Sequence, residues 1–233
     1  MSSDNKKPKL LWVSHLIPYP PKGGVLQRSY HLLFQLSKAY DIDLLCFNQP
    51  KLLEPIYSDL EEGRNIAVKE LSKFCTVIDC QEIPNGSNKY RTVITALKSL
   101  FSKHPYNINW LKSAKFNSTL NKLVKDNDYK LVHFDTICLY LAYKAIKGSN
   151  IKFCLDHHNI ESHMLQRRAE NESNIAKKWY FQQEASRLEN YEKEMASAAE
   201  TNISCSDTDT KRLQEIAPNS PVITIPNGVD INY

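Results

Sequence analysis

Short runs of leucine, isoleucine, valine and phenylalanine alternate along this chain with longer segments in which apolar residues recur every three or four positions. A short continuous apolar run is typical of a strand buried on both faces, and the longer spacing is typical of an amphipathic helix. The runs predict strands at residues 9–14, 42–47, 76–80, 131–134, 152–156, 202–204 and 222–225. The helical spacing predicts helices at 27–39, 54–73, 90–103, 114–125, 139–146 and 207–216, and a long helical stretch over 161–199.

Strands that alternate with helices predict an α/β fold with a doubly wound, mostly parallel, Rossmann-like sheet. A capping box over residues 206–209 marks the start of the last helix. Ligands of such sheets bind beyond the carboxyl ends of the strands. The positions that follow strands are His15, the loop with Gly23 and Gly24, Asp135, and residues 156–159.

The composition is that of a globular chain, because 42% of its 233 residues are hydrophobic. No apolar run approaches the roughly 20 residues of a membrane-spanning helix, and the first residues lack the apolar centre of a signal peptide. The six cysteines are scattered without a C-x-x-C pair, which favours buried thiols over a zinc site or disulfides. We therefore expect a cytoplasmic protein.

The net charge of +4 is distributed unevenly. No carboxylate lies between Glu82 and Asp126, and eight basic residues fall in this gap. Within it, residues 90–103 predict a basic amphipathic helix. Such a helix fits an anionic bilayer surface, and it equally fits a core-packed helix with a solvated basic face. The expected membrane contacts are Lys89, Arg91, Lys98 and Lys103, with Trp110 as an interfacial anchor. No nucleic-acid-binding motif is present, so no nucleic-acid partner is expected.

The first strand leads into a loop with two adjacent glycines, Gly23 and Gly24, and then into a helix. Glycine permits positive φ and a close approach of the backbone to a ligand, so this arrangement outlines a phosphate-binding loop. It departs from the dinucleotide-binding pattern because it has no G-x-G-x-x-G. A plain turn between strand and helix is the alternative.

Polar side chains follow two later strands. His133 and Asp135 flank Phe134, so strand alternation predicts that both point to one face and meet one ligand hydroxyl. The next strand end carries the run Asp156-His-His-Asn159, followed by Glu161. The alternative for these is a helix-capping role. Their spacing matches no familiar metal site, so no metal is expected.

Six segments occur in order along nearly the whole chain: 18–24 with Arg28, 132–135, 155–161, 187–192, 204–207 and 225–230. As an ordered set they resemble the N-terminal half of a family 4 glycosyltransferase. The resemblance implies a GT-B enzyme, in which two Rossmann-like domains face a cleft. It also implies transfer of a sugar from a nucleotide sugar with retention of anomeric configuration, and no required metal or other cofactor.

By the same resemblance, Asp135 and His158 are the catalytic residues, and Gly23 and Gly24 approach the donor phosphates. The acceptor or substrate contacts that it implies are Arg28, His133, Asp156, Asn159 and Glu161. Residues 1–230 then form the acceptor-binding domain and 231–233 begin the interdomain linker. The C-terminal donor-binding domain is absent, so its partner half lies in cis or in trans.

The implied function is therefore acceptor binding in a glycosyltransferase of cell-envelope or surface glycan synthesis, with a glycan or lipid-linked acceptor. We expect the chain alone to be inactive, because a GT-B site forms only when both halves close. The alternative is a non-catalytic Rossmann-like half that binds a partner chain or a membrane, as in a split glycosyltransferase.

Overall fold

A computed structural model of the protein describes residues 7–49, 57–84 and 89–228. Its strands are β1 Lys9–Ser14, β2 Asp41–Asn48, β3 Thr76–Glu82, β4 Tyr129–Phe134, β5 Phe153–His157, β6 Thr201–Ser204 and β7 Val222–Thr224. They form one sheet in the order β3-β2-β1-β4-β5-β6-β7, and every neighbouring pair is parallel. The Rossmann-like sheet predicted from the sequence is confirmed, and each predicted strand end lies within two residues of the observed one.

The helices are α1 Gly24–Leu36, α2 Leu60–Leu71, α3 Lys89–Leu100, α4 Tyr106–Trp110, α5 Ala114–Asp126, α6 Tyr140–Ile146, α7 Glu161–Glu170, α8 Ile175–Ala198 and α9 Asp207–Ile216. A 3₁₀ turn at Ile137–Leu139 precedes α6. The start of the helix predicted at 54–73 lies outside the described residues. Helix α4 was not predicted, because five residues are too few to show helical periodicity. The predicted capping box is confirmed, since Ser206 Oγ accepts the Asp209 N–H at 3.1 Å.

The prediction of one long helical stretch over 161–199 was wrong, because this segment forms two separate helices, α7 and α8. Asn171 ends α7, and its Nδ2 donates to the carbonyl of Arg167 at 2.8 Å. Asn174 caps α8, and its Oδ1 accepts the N–H of Lys177 at 3.1 Å. Asparagine side chains that bond to nearby backbone groups compete with a continuous helix. Two such residues three positions apart therefore interrupt it.

Both faces of the central strands β1, β2 and β5 are buried, which is why these strands are rich in apolar residues. The edge strands β3 and β7 are more exposed. On β1, Leu11 and Val13 point into the larger core, and Leu10 and Trp12 point into a second core. Helix residues of the larger core include Phe116, Leu188 and Met195, and those of the second include Leu33, Ala67 and Leu71. The central strands are thereby held rigidly, and their carboxyl ends lie along one edge.

A buried carboxylate on α8 holds the start of α7. Ile160, the N-cap residue of α7, supplies no side-chain cap. Instead Glu192 accepts hydrogen bonds from the N–H of Ser162 at 3.2 Å and from its hydroxyl. Burial raises the pKa of Glu192 to about 7, although the bonds from Ser162 oppose the shift. The contact fixes the turn that carries Glu161 to the edge of the sheet.

The raised pKa of Glu192 gives a testable pH dependence. Between its ordinary value of 4.5 and about 7, the folded protein keeps a proton that the unfolded chain has lost, so the free energy of unfolding falls as pH rises. Glu192→Gln removes this titration. The unfolding free energy of the variant relative to wild type should therefore rise by about 3 kcal/mol between pH 4.5 and pH 8.

Urea unfolding of both proteins at the two pH values measures this difference. Glu189→Gln is the matched control, because Glu189 lies on the same helix and is only half-buried. The pH-dependent change should be specific to Glu192→Gln and exceed any change seen with this control. A difference for Glu192→Gln that is independent of pH would contradict the raised pKa.

Candidate functional site

Three neighbouring parallel strands, β1, β4 and β5, end at the same edge of the sheet. His15 follows β1, Asp135 follows β4 and His158 follows β5. One side-chain nitrogen or oxygen from each lies within 4.8 Å of the other two. We call these three residues the strand-end cluster. His15 lies more than 100 residues before Asp135 and His158 in the chain, and the parallel sheet brings the three together.

Asp135 is the anchored member of the cluster. Its buried carboxylate accepts hydrogen bonds from Ser14 Oγ at 2.5 Å, from the His15 N–H at 3.1 Å and from His15 Nδ1 at 2.9 Å. Burial alone would raise the pKa of Asp135, but the histidines and these hydrogen bonds outweigh it and lower the pKa to about 2. The carboxylate is therefore ionised and fixed in orientation at neutral pH.

His158 is the unpartnered member. Neither of its ring nitrogens has a hydrogen-bond partner among the described residues, and both are shielded from solvent. Burial lowers the pKa of His158 to about 4, although the negative charge of Asp135 opposes the shift. At neutral pH the ring is a neutral imidazole with one donor and one acceptor nitrogen. Neither nitrogen is committed to a protein partner among the described residues, so a ligand that reaches the ring meets one donor and one acceptor.

The cluster also has the residue types of a metal site. Among the described residues, His15, Asp135 and His158 are the group of three potential ligands whose ligand atoms lie close enough together to hold a metal ion. Asp135 already bonds His15 through Oδ1, so a metal ion would compete with that hydrogen bond. The expectation that the protein needs no metal or other cofactor stays a prediction.

Arg28 and Asp156 were predicted to bind substrate, but the structure pairs them with each other. Arg28 Nη2 lies 3.1 Å from Asp156 Oδ1, and Arg28 Nε lies 3.2 Å from the same oxygen. Arg28 Nη1 donates to the carbonyl of Ile225 at 2.6 Å and to Asn227 Oδ1 at 3.0 Å. Both charged groups are buried. Their contacts thus join α1, the end of β5 and the segment after β7.

His133 is buried inside the sheet, one position before the end of β4. Its ring stacks on Trp12 with centroids 3.7 Å apart, and its Nδ1 lies 3.1 Å from Cys154 Sγ. Burial lowers the pKa of His133 to about 3. The side chain is only 1% exposed, so direct contact with a ligand hydroxyl is not supported by its packing. Asp135 bonds to Ser14, which lies two residues after Trp12 on β1, so His133 and Asp135 lie on the same face of the sheet as strand alternation predicts.

Asn159 and Glu161 follow β5 at the carboxyl edge of the sheet. Asn159 is exposed. Glu161 is half-buried and accepts a hydrogen bond from Asn107 Nδ2 of α4 at 3.2 Å. Burial raises the pKa of Glu161, and the nearby His15 opposes that shift. These two side chains are therefore placed at the rim of the strand-end cluster.

The two glycines of the predicted phosphate loop have different roles. Gly23 has φ 80° and ψ 157°, a backbone conformation that is nearly exclusive to glycine. Gly24 is the first residue of α1 and has no positive φ. A Cβ added to either would meet no atom within 4 Å. The conformational requirement for glycine thus falls on Gly23.

A cavity of about 650 Å³ opens beside this loop, between α1 and residues 226–228. Its lining includes Gly24, Arg28 and Phe34 on one side and Asn227 and Gly228 on the other. It adjoins the glycine loop and not the strand-end cluster, so the two form separate parts of the carboxyl edge.

The predicted membrane contacts lie on and near α3. Arg91, Lys98 and Lys103 are exposed, and nothing is described of the Lys89 side chain. Trp110 is half-buried against the larger core, so it is not placed as an interfacial anchor. None of the helices described here is long and apolar enough to cross a bilayer.

The sequence singled out His15 as a strand-end position but gave it no role, and it did not single out Ser14. Both residues stand at the end of β1. Their role depends on bonds to Asp135, which lies about 120 positions later in the chain. That pairing is visible only when β1 and β4 are known to be neighbours.

The fold and the site together define a Rossmann-like domain whose polar cluster lies at the carboxyl edge of its sheet. The sequence profile of Glycosyltransferase Family 4 matches residues 22–233, so the chain belongs to that family. The GT-B resemblance inferred from the ordered segments is thereby confirmed. No curated protein sequence matches the chain.

Two solved structures share the fold. Sucrose-phosphate synthase from Thermosynechococcus elongatus is 13% identical, with a TM-score of 0.56, over 97% of this chain and 49% of its own. A UDP-glucosyltransferase from Polygonum tinctorium, described as glucosylating indoxyl, is 10% identical, with a TM-score of 0.51, over 97% of this chain and 54% of its own. The chain thus spans about half the length of these enzymes.

The glycine loop yields a prediction about the free energy of unfolding. Gly23→Ala places a Cβ on a residue with positive φ, so it should destabilise the fold by about 1–3 kcal/mol. Gly24→Ala adds the same methyl group at a helical position with open space around it, so it should be neutral or stabilising by up to about 1 kcal/mol. Urea unfolding of the three proteins compares them. Equal losses for both variants would contradict the assignment of the strained position to Gly23.

The shielded imidazole yields a second prediction for the site. NMR titration of the histidine ring protons should give a midpoint near pH 4 for His158, compared with about 6.5 for an unperturbed histidine. The His158→Gln variant identifies the resonance by its loss. Asp135→Asn should move the midpoint lower still, because the carboxylate charge favours the protonated ring. A midpoint near 6.5 would mean that the ring is solvated.

Proposed function

We propose that this chain is the acceptor-binding N-terminal domain of a retaining glycosyltransferase that transfers a sugar from a nucleotide-sugar donor. The observation that carries the proposal is the strand-end cluster, in which an unpartnered neutral imidazole faces an ionised, anchored carboxylate. Membership of glycosyltransferase family 4 supports the reaction class. Similarity to the fold of a UDP-glucosyltransferase supports a nucleotide-linked donor.

Asp135 acts by orientation and charge in this proposal. A carboxylate with a pKa of about 2 is a weak base at neutral pH, so it is not the group that removes the acceptor proton. The acceptor oxygen bonds to the anomeric carbon as the bond from that carbon to the diphosphate breaks, and the proton passes to the leaving phosphate oxygen. Reaction on one face of the sugar retains its configuration. Asp135 stabilises the positive charge that develops on the sugar.

His158 and the glycine loop position the two substrates. The free nitrogens of His158 donate to one sugar hydroxyl and accept from another. The first turn of α1, which begins at Gly24 and is preceded by Gly23, directs backbone N–H groups at the donor phosphates. Asn159 and Glu161 contact the acceptor at the rim. Arg28, Asp156 and His133 support the site from behind, because their polar groups are buried or paired.

A second domain, in cis or in trans, holds the nucleotide of the donor. The coverage of about half of the length of two enzymes with the same fold supports this part of the proposal. We propose a cytoplasmic reaction, because the six cysteines are free thiols and five of them are buried. We also propose that the reaction needs no metal cofactor. The acceptor class that we propose is a glycan or lipid-linked saccharide of the cell envelope.

Substitutions in the cluster test the proposal in a protein that contains both halves. Asp135→Asn keeps the side-chain shape and removes the charge, so transfer should fall by about 100-fold or more. His158→Ala should lower transfer by about 10-fold to 100-fold, because it removes two substrate hydrogen bonds. His163→Ala, on the adjacent α7 and outside the cluster, should leave the rate unchanged. Mass analysis of products formed from a panel of nucleotide sugars measures transfer.

Circular dichroism and thermal unfolding of each variant separate chemistry from folding. If Asp135→Asn unfolds the protein while the folded fraction keeps its specific activity, Asp135 is a structural residue. If wild-type protein with both halves transfers no sugar from any donor, the alternative of a non-catalytic half that binds a partner gains support.

A further inference from the structure

Helix α3 turns an apolar stripe towards solvent. Four large apolar side chains are exposed: Tyr90 by 74%, Val93 by 56%, Leu97 by 57% and Phe101 by 93%. Their spacings of three and four residues place them on one side of the helix and its following turn. We call these four residues the outer stripe. Large apolar side chains that form one continuous exposed stripe indicate an interaction surface.

The orientation of α3 is fixed by contacts on its opposite side. Arg187 of α8 donates to the carbonyls of Ser99 at 2.9 Å and Ser102 at 2.5 Å. Asn109 of α4 donates to the hydroxyls of the same two serines at 2.9 and 2.8 Å. Ser99 is fully buried. The core-packed alternative for this helix therefore holds for its inner side, and the outer stripe is left without a partner among the described residues.

The charged side chains of α3 and the turn after it are all basic. Arg91, Lys98 and Lys103 flank the outer stripe and are exposed, and no acidic residue occurs between Glu82 and Asp126. A surface with an apolar centre and cationic flanks complements an anionic bilayer, whose acyl region takes apolar side chains and whose phosphates take cations.

We propose that α3 and the turn after it dock on an anionic lipid bilayer. The outer stripe enters the boundary between headgroups and acyl chains, and Arg91, Lys98 and Lys103 lie against lipid phosphates. Phe101, the most exposed of the four, is the interfacial anchor. Each basic residue near such a surface multiplies the partition coefficient about fivefold, so the three together contribute about 100-fold.

Helix α4 links α3 to the strand-end cluster. It packs on the inner side of α3, and its Asn107 donates a hydrogen bond to Glu161 at the rim of the cluster. In the docked protein, one helix therefore separates α3 from this rim. If the proposed glycosyl transfer holds, its acceptor is lipid-borne; this consequence rests on the proposed function, whereas docking itself does not.

Vesicle sedimentation of the 233-residue chain tests docking without any transfer assay. The probes are vesicles of phosphatidylglycerol with phosphatidylcholine, and vesicles of phosphatidylcholine alone. We expect binding to the anionic vesicles at low salt, little binding to the neutral ones, and progressive loss as salt screens the charges.

Two sets of variants divide the surface into its parts. Leu97→Gln with Phe101→Gln removes apolar contact, and the triple change of Arg91, Lys98 and Lys103 to Gln removes charge. Each should lower binding to anionic vesicles by 10-fold or more. The matched charge control is the triple change of Lys115, Lys122 and Lys125 to Gln on α5, which removes equal charge from the same carboxylate-free segment. Ile223→Gln, on exposed β7, is the apolar control.

Neither control should lower binding more than about twofold. Equal losses for the α5 and α3 charge variants would overturn the proposal, because net charge would then explain the binding. Failure of the wild-type chain to bind anionic vesicles at low salt would also overturn it. So would a concentration-dependent dimer, seen by analytical ultracentrifugation without lipid and lost in the Leu97 and Phe101 variant. Transfer to a soluble acceptor with intact vesicle binding would overturn only the lipid-borne acceptor.

Discussion

The buried ion pair between Arg28 and Asp156 is the interaction on which the geometry of the site depends. Two charges out of water are tolerated because each is paired and hydrogen-bonded, and removing one partner of such a pair costs about 3–5 kcal/mol. Arg28 bonds to Asp156 and to Ile225 and Asn227. It thereby sets the start of α1 relative to the end of β5. The glycine loop and His158 occupy fixed positions because of this contact.

Within that frame, the neighbours Asp135 and His158 are both buried, but at neutral pH one is charged and the other is neutral. Asp135 has three hydrogen-bond donors and nearby histidines, so its charged form is favoured despite burial. His158 has no partner, so its neutral form is favoured. The result at neutral pH is a fixed negative charge next to an uncommitted donor and acceptor. That combination suits positioning of hydroxyl groups and stabilisation of developing positive charge better than proton abstraction.

Most of the fold could be predicted from local pattern. The central strands β1, β2 and β5 are rich in apolar residues because both of their faces are buried, and the alternation of strands with helices specifies a parallel doubly wound sheet. Local pattern failed where side-chain chemistry outweighed periodicity, at Asn171 and Asn174 between α7 and α8. It also could not decide which side of α3 faces inward, because the hydrogen bonds of Arg187 and not hydrophobicity set that orientation.

The site divides in the same way. The sequence by itself determined which positions end strands, and so it identified Asp135, His158 and the glycine loop as candidates. Only the tertiary structure decided which of these polar side chains face each other. It paired Arg28 with Asp156 and buried His133 against Trp12. It also joined Ser14 and His15 to Asp135. The reason is physical: a strand's residue pattern records how deeply it is buried, whereas its neighbours are set by contacts between residues more than 100 positions apart.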